Sequence, residues 1–170
     1  MNKNYEIVED IISKTQPHGV VIDTNLLLLL IIGIVNKKLV TTNSRLSNYI
    51  QEDFELLEKF LKNYQMVLVT PTILAEVSNL ANSLEGKYEK KFYSILQKFT
   101  DSGSKEVFKK ITTYNSTKSF HNFGVTDSNI AEVAKSGALV LTDDLPLAQY
   151  LQSKSLSVLN FNNIRIYGWK

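Results

Sequence analysis

Four short segments of the chain are mostly apolar, at positions 20–22, 66–69, 138–141 and 156–159. The first three contain no polar residue, so they lack the alternation of apolar and polar residues that marks a strand with one face in water, and the fourth contains a single polar residue, Ser157. Runs of this length and composition favour strands that are buried on both faces of a parallel sheet. The pattern therefore predicts a buried parallel sheet of at least four strands.

Between these runs, apolar residues recur every three or four positions, which is the spacing of one helix face. This spacing predicts helices over 4–14, 25–35, 44–63, 71–84, 88–99, 105–111, 126–136 and 145–152. Thr70 and Thr126 are expected to cap the helices that follow them. Segment 36–43 is predicted to be a loop, and segment 112–124 is too polar to assign. Because strands and helices alternate, we expect a three-layer α/β/α sandwich around a central parallel sheet of four or five strands.

The composition says more about the class of protein and its possible metal ligands than about its fold. The 170 residues are 44% hydrophobic and 21% charged, which is typical of one globular domain, here 1–170 with an added N-terminal helix at about 3–15. The chain has no cysteine, which excludes disulfides, iron–sulfur clusters and thiolate zinc sites. Since His18 and His121 are the only imidazoles, a bound metal would need oxygen ligands, which favours Mg²⁺ or Mn²⁺.

The apolar run 26–35 invites a membrane interpretation, but it has about half the length of a bilayer-spanning helix. Residues 1–6 are polar and lack the apolar core of a signal peptide. We therefore expect a buried core helix, no membrane association and a cytoplasmic location. The net charge of +2 is compatible with nucleic acid, although it is far from a strongly basic signature.

Five carboxylates are candidates for a site, and each has an ordinary explanation when it is taken alone. Asp23 follows the first strand and can cap the next helix. Glu76 lies on the edge of a helical apolar stripe, where a glutamate at the rim is common. Asp127 falls in the first turn of a predicted helix, where the helix dipole favours an anion. Asp143 and Asp144 follow the third strand, and Asp144 can cap a helix with Pro in its first turn.

Taken together, the five carboxylates predict a shared site. The carboxyl ends of parallel strands meet at one edge of a sheet, so these acids would gather in one crevice. Carboxylates a few ångströms apart raise one another's pKa and repel, and a hard divalent cation relieves that repulsion. A metal-bound water can attack a phosphodiester, and the metal offsets the charge that builds on the phosphate oxygens.

Four short motifs, in this order, make the chain resemble the PIN domain family. They are Val-Ile-Asp-Thr-Asn at 21–25, Thr-Pro-Thr-Ile-Leu-Ala-Glu at 70–76, Thr-Asp-Ser-Asn-Ile-Ala at 126–131 and Leu-Thr-Asp-Asp at 141–144. The resemblance covers about 20–158. It departs from the family pattern in the added N-terminal helix and in the long stretch 87–123.

The resemblance implies a metal-dependent ribonuclease on a parallel sheet flanked by helices. Residue by residue, Asp23, Glu76 and Asp127 match the first three family acids, and the Thr-x-Asp motif places the fourth at Asp144, with Asp143 as an adjacent possibility. The polar helpers of the family are matched by Thr24, Asn25 and Thr142. We therefore expect a Mg²⁺- or Mn²⁺-dependent endoribonuclease that acts on RNA, in a setting that could be that of a toxin inhibited by a separate antitoxin.

Two other functions stay open from the sequence. One is a non-catalytic PIN-like module that binds RNA or protein, and the other is a structure-specific DNA nuclease of the related flap-nuclease group. Segment 105–123 interleaves aromatic residues with Lys105, Lys109, Lys110 and Lys118, a composition that suits single-stranded nucleic acid but also suits an ordinary amphipathic helix. The N-terminal and Leu-rich helices could form a homodimer face or belong to the core.

Overall fold

The computed structural model describes residues 3–167, and the five strands in this range form one parallel sheet. Its strands are β1 (Val20–Ile22), β2 (Val67–Val69), β3 (Lys105–Glu106), β4 (Leu139–Thr142) and β5 (Val158–Asn160). The strand order is β3-β2-β1-β4-β5. Val20 pairs with Val67 on one side and with Leu139 on the other, so β1 is the central strand.

Nine α-helices precede, connect or follow these strands within the described residues. They are α1 (Lys3–Thr15), α2 (Thr24–Val35), α3 (Lys38–Thr42), α4 (Gln51–Leu61), α5 (Pro71–Leu80), α6 (Lys87–Lys98), α7 (Lys118–Ala134), α8 (Leu145–Ser153) and α9 (Phe161–Tyr167). The chain moves from β1 to β3 in one direction and then returns to β4 and β5 beyond β1. Right-handed crossovers in opposite directions place helices on opposite faces of a sheet. The predicted three-layer α/β/α sandwich is therefore confirmed.

The apolar run that invited a membrane interpretation is the core helix α2. Its residues from Leu26 to Ile32 are at most 6% exposed, so this part of the helix is covered on all sides, whereas Ile34 near its end is 44% exposed. Gly33 lies inside α2, and a Cβ atom there would stand 2.1 Å from the Phe54 ring of α4. The glycine therefore lets two helices approach closely. No helix within residues 3–167 is long and apolar enough to cross a membrane.

Three predicted segments were wrong, and side-chain hydrogen bonds explain two of them. Segment 36–43 is not a loop but contains α3, whose start is held by the Asn36 side chain, which accepts from the backbone N–H of Lys38 at 3.1 Å. The predicted helix 44–63 is divided, because Asp53 accepts from the backbone N–H of Ile50 at 2.8 Å and begins α4 there. Segment 105–111 is not helical: Lys105–Glu106 forms the edge strand β3.

α7 begins at Lys118 with Thr117 as its cap, and Thr126 does not cap the part of α7 that follows the kink, because its hydroxyl donates to Glu76 instead. Gly124 interrupts α7 with a φ of 79°, a backbone conformation that favours glycine. Asp127 therefore still lies in the first helical turn after an interruption, as the sequence suggested. Thr70 does cap α5, since its hydroxyl accepts from the backbone N–H of Ile73 at 3.3 Å.

The reversal of strand order occurs between β1 and β4, and it determines where a site can form. The connection that follows β1 and the connection that follows β4 lie on opposite faces of the sheet, so a crevice opens at the carboxyl ends of these two strands. The backbone N–H of Asp23 donates to the carbonyl of Leu141 at 3.2 Å, which ties the two strand ends together. The fold thus places the residues that follow β1 and β4 at the usual ligand position of such a sheet.

Candidate active site at the carboxyl edge

Four of the five candidate acids line one cavity at this edge. The cavity has a volume of about 210 Å³, and we call it the acid cavity. Its lining consists of Asp23, Thr24, Asn25, Glu76, Leu80, Asp127, Thr142 and Asp144. The four acids come from the end of β1, from α5, from α7 and from the start of α8, so the fold brings together residues that are up to 121 positions apart in the sequence.

Asp23 is held rigidly at the bottom of this arrangement. It is only 6% exposed, and its carboxylate accepts from the backbone N–H of Leu26 at 2.9 Å and from that of Asp143 at 3.0 Å. The first bond caps α2, as predicted. Burial, followed by the charge of Asp143, raises the pKa of Asp23 from 3.8 to about 8, against the opposing hydrogen bonds.

Glu76 is oriented by two hydroxyl groups. The Thr24 hydroxyl donates to one of its oxygens at 2.6 Å, and the Thr126 hydroxyl donates to the other at 2.5 Å. These bonds link α5 to the start of α2 and to α7. An ionised carboxylate has about four acceptor positions, so Glu76 keeps capacity for a further ligand.

Asp127 forms no side-chain hydrogen bond with any residue of the described range, yet it is partly buried. Burial is the main reason that its pKa rises from 3.8 to about 6, and the charges of Asp144 and then Glu76 add to the effect. Asp144 is exposed and caps α8, accepting from the backbone N–H of Leu147 at 2.7 Å. The electrostatic coupling shows that Asp127 lies close to both neighbouring acids.

Asp143 is not in the lining of the acid cavity. Its carboxylate accepts from the Tyr49 hydroxyl at 2.5 Å and from the Asn25 amide at 3.2 Å, and its own backbone N–H supports Asp23. Burial and the charge of Asp143 in turn raise the pKa of Tyr49 well above its ordinary range. Of the two adjacent candidates, Asp144 is therefore the one placed with the other acids, whereas Asp143 fixes the position of Asp23.

Two residues of this arrangement escaped the sequence interpretation. The sequence predicts a helix cap at Thr126, but its hydroxyl orients Glu76 instead. Tyr49 was not singled out, because it lies in a segment that was predicted to be helical and its partner is 94 positions away. The predicted helpers do lie at the site: Thr24 binds Glu76, Asn25 binds Asp143, and the Thr142 hydroxyl accepts from the backbone N–H of Asp144 at 3.0 Å.

The carboxylates of the acid cavity have the chemistry of ligands for a hard divalent cation, but they are not positioned to share one ion. All the charged groups of the acid cavity are carboxylates, and within residues 3–167 no lysine or arginine forms an ion pair with any of them. Oxygen ligands of this kind suit Mg²⁺ and Mn²⁺. As the side chains stand, however, no group of three or more acidic or histidine residues in the described range could hold a metal ion. The carboxylates would have to draw closer to share one ion.

The four candidate lysines lie outside the lining of the acid cavity, and three of them lie in or shortly after β3. Lys105 is in β3, and Phe108, Lys109 and Lys110 come directly after the carboxyl end of that strand. Phe108 is 72% exposed, which is unusual for a side chain of this size. Lys118 is exposed at the first residue of α7. With neighbouring strands about 4.8 Å apart, the end of β3 lies about 10 Å from the end of β1.

Comparison of the chain with protein-family models, with curated proteins and with solved structures gives no match. The case for a function therefore depends on the geometry of the site and on the order of its motifs.

Proposed function

We propose that this chain is a PIN-like endoribonuclease that depends on Mg²⁺ or Mn²⁺ and hydrolyses RNA phosphodiester bonds at the acid cavity. The observation that carries the proposal is the convergence of Asp23, Glu76, Asp127 and Asp144 from four separate elements on one cavity at the sheet's switch point. A cluster of this kind costs folding free energy unless a cation neutralises it.

The residues at the acid cavity would have different roles in binding the cation. Asp23, Glu76, Asp127 and Asp144 would hold the cation, with Asp143 keeping Asp23 in place. When bound, a divalent ion supplies a Lewis acid that offsets phosphate charge and lowers the pKa of a water molecule. Thr24 and Thr126 would keep Glu76 aimed at the ion through the hydroxyl contacts that they already make.

The surface beside the acid cavity supports single-stranded RNA as the substrate. Phe108 presents an exposed aromatic face on which a base can stack, and Lys109 and Lys110 follow it on the same edge of the sheet. Aromatic side chains beside lysines that follow the phosphate backbone are typical of single-stranded nucleic acid sites. The toxin setting, an antitoxin partner and a homodimer stay predictions, because no contact within the described residues bears on them.

The test is cleavage of a fluorescently labelled single-stranded RNA in Mn²⁺ and in EDTA. We expect cleavage that requires Mn²⁺, and a loss of about 100-fold or more in Asp23→Asn and Asp127→Asn. Glu55→Gln is the matched control, because it removes a carboxylate from the exposed surface of α4 and should leave cleavage unchanged.

Three results would contradict the proposal in different ways. Intact RNA in every condition, with no effect of Mn²⁺ on thermal stability, would favour the non-catalytic binding module. Faster cleavage of branched DNA than of single-stranded RNA would favour the structure-specific DNA nuclease. Equal RNA cleavage by the wild type and Asp23→Asn would remove the catalytic assignment.

A further inference from the structure

A larger cavity lies on another side of α7, and it shares no lining residue with the acid cavity. It has a volume of about 350 Å³ and is enclosed by α7, by the end of α8 and by segment 114–119; we call it the tyrosine cavity. Ser128, Ala131 and Lys135 line it at the i, i+3 and i+7 spacing of one helix face. Asp127 is turned by about 100° from that face, so α7 serves both cavities.

The tyrosine cavity has a polar group that the fold leaves unpaired. Ser128 is 1% exposed, and its hydroxyl finds no hydrogen-bond partner within residues 3–167. Buried hydroxyl groups are nearly always paired, and one that is not requires an explanation. The neighbouring wall residue Ser119 is also buried, but its hydroxyl is paired with that of Thr117 at 2.8 Å. A ligand with a donor or acceptor near Ser128 would satisfy the unpaired group.

Two aromatic side chains give the cavity a flat apolar wall. Tyr114 is 3% exposed and packs against Phe120 with ring centroids 6.4 Å apart. Tyr150 packs against Phe123 with centroids 5.2 Å apart, which fixes the ring in place. Ala131 and Leu156 are the other apolar residues of the lining, and a flat apolar wall favours a planar ring over a flexible polar chain.

The charge at the mouth of the cavity favours an anion. Lys154 stands over the Tyr150 ring, with Nζ 5.7 Å from the centroid, and it forms no ion pair within the described part of the chain. Lys135 is exposed and paired with Glu132 of the same helix. The lining thus has two ammonium groups and one carboxylate, a net charge of +1, whereas the lining of the acid cavity has four carboxylates and no cation.

We propose that the tyrosine cavity binds a nucleoside monophosphate. The base would lie against Tyr114 and Tyr150 and take a hydrogen bond to the Ser128 hydroxyl, and the phosphate would meet Lys154 at the mouth. The volume of about 350 Å³ is at the lower end of the range for ligand pockets, which suits a mononucleotide and excludes a dinucleotide cofactor. This site does not depend on the proposed ribonuclease activity, because its residues are separate and its ligand needs no metal.

The experiment is calorimetric titration of the full chain in EDTA with AMP, GMP, CMP and UMP. Adenosine, which lacks the phosphate, and ribose 5-phosphate, which lacks the base, are the matched probes. We expect at least one monophosphate to bind at least tenfold more tightly than either probe. Lys154→Ala should weaken that binding about tenfold, while Lys38→Ala, which removes an exposed lysine from α3, should leave it unchanged.

Ser128→Ala separates a binding role from a purely structural one. Removal of an unpaired buried hydroxyl should raise the melting temperature, and loss of the contact with the base should weaken nucleotide binding severalfold. The proposal is overturned if no monophosphate binds more tightly than inorganic phosphate, or if Lys154→Ala and Ser128→Ala both bind as the wild type does. It is also overturned if Asp127→Asn abolishes binding, since the nucleotide would then occupy the acid cavity.

Discussion

Two aspartates of this protein are buried to the same extent, but the charged groups around them have opposite signs. Asp53 and Asp23 are each 6% exposed. Asp53 accepts a hydrogen bond from Arg165 Nε at 2.8 Å, forms an ion pair with a terminal guanidinium nitrogen at 2.7 Å, and also accepts from the backbone N–H of Ile50 at the start of α4. Asp23 accepts from two backbone N–H groups but has no cation, and the charge that raises its pKa is that of another aspartate, Asp143.

The difference shows which acids contribute to stability. A buried carboxylate that is paired with an arginine in two-point geometry has its charge balanced inside the protein. The charge of a buried carboxylate beside other carboxylates is not balanced in this way, so the charged form of the group is disfavoured. Helix capping accounts for the positions of Asp23 and Asp144, but it does not explain why four carboxylates line one cavity without a cation. A divalent ion would provide the missing positive charge.

The largest effect on stability is expected at the ion pair between Arg165 and Asp53. Arg165→Met would leave Asp53 buried without a counter-charge, and we expect a loss of about 3 kcal/mol in the free energy of unfolding. Urea denaturation monitored by circular dichroism measures this change. Lys37→Met is the control, since it breaks the exposed pair with Glu55 and should have a much smaller effect. Similar losses in the two variants would show that Asp53 does not need its arginine.

A substitution in the acid cavity is expected to increase the free energy of unfolding rather than decrease it. Without divalent ions at pH 7.5, Asp127→Asn should stabilise the protein by about 2 kcal/mol, because it removes a carboxylate whose pKa is raised to about 6 by burial and by Asp144 and Glu76. At pH 4 the stabilisation should disappear, since Asp127 is then protonated in the folded state. Urea titrations at the two pH values give both numbers, and destabilisation at pH 7.5 would contradict the account.

The stability of the wild type in EDTA should also depend on pH in a particular direction. The pKa of Asp23 is about 8 in the folded state and near 3.8 when the chain is unfolded, so between these values the folded state holds the extra proton. Stability therefore falls as the pH rises toward 8 and levels off above it. We expect a loss of about 1–2 kcal/mol from pH 6 to pH 8. A curve that is flat or rising over this range, measured by urea denaturation, would contradict the assignment.

The smallest effect is expected at the exposed edge of β3. Phe108→Ala should raise the KM for single-stranded RNA about fivefold, with little change in kcat, because it removes a stacking surface rather than a cation ligand. The melting temperature should stay the same, since Phe108 is 72% exposed. A steady-state cleavage series in Mn²⁺ gives both constants. A fall in kcat alone would place Phe108 at the reaction centre instead.

The parts of the molecule that could be predicted from the sequence are those governed by local pattern. The buried strands β1, β2, β4 and β5 are marked by their aliphatic runs, and the acids that follow strand ends are placed at the same edge by parallel topology. This is why Asp23 and Asp144 could be assigned to one crevice before the fold was known.

The parts that could not be predicted depend on distant partners. Strand β3 has two exposed residues and no apolar run; the backbone bond from the Val107 N–H to the carbonyl of Val69, at 2.8 Å, continues its pairing with β2. Tyr49 reaches Asp143 across 94 positions, and no local signal marks that contact. Thr126 had a plausible local role as a cap, and only the packing of α5 against α7 brings its hydroxyl to Glu76.

The most direct test of the central claim is calorimetric titration of Mn²⁺ into the wild type, Asp127→Asn and Glu55→Gln. The account predicts saturable binding to the wild type and to Glu55→Gln, and binding at least tenfold weaker in Asp127→Asn. Equal Mn²⁺ affinity in Asp127→Asn and the wild type, or no saturable binding to either, would contradict the claim that these carboxylates gather to hold a divalent ion.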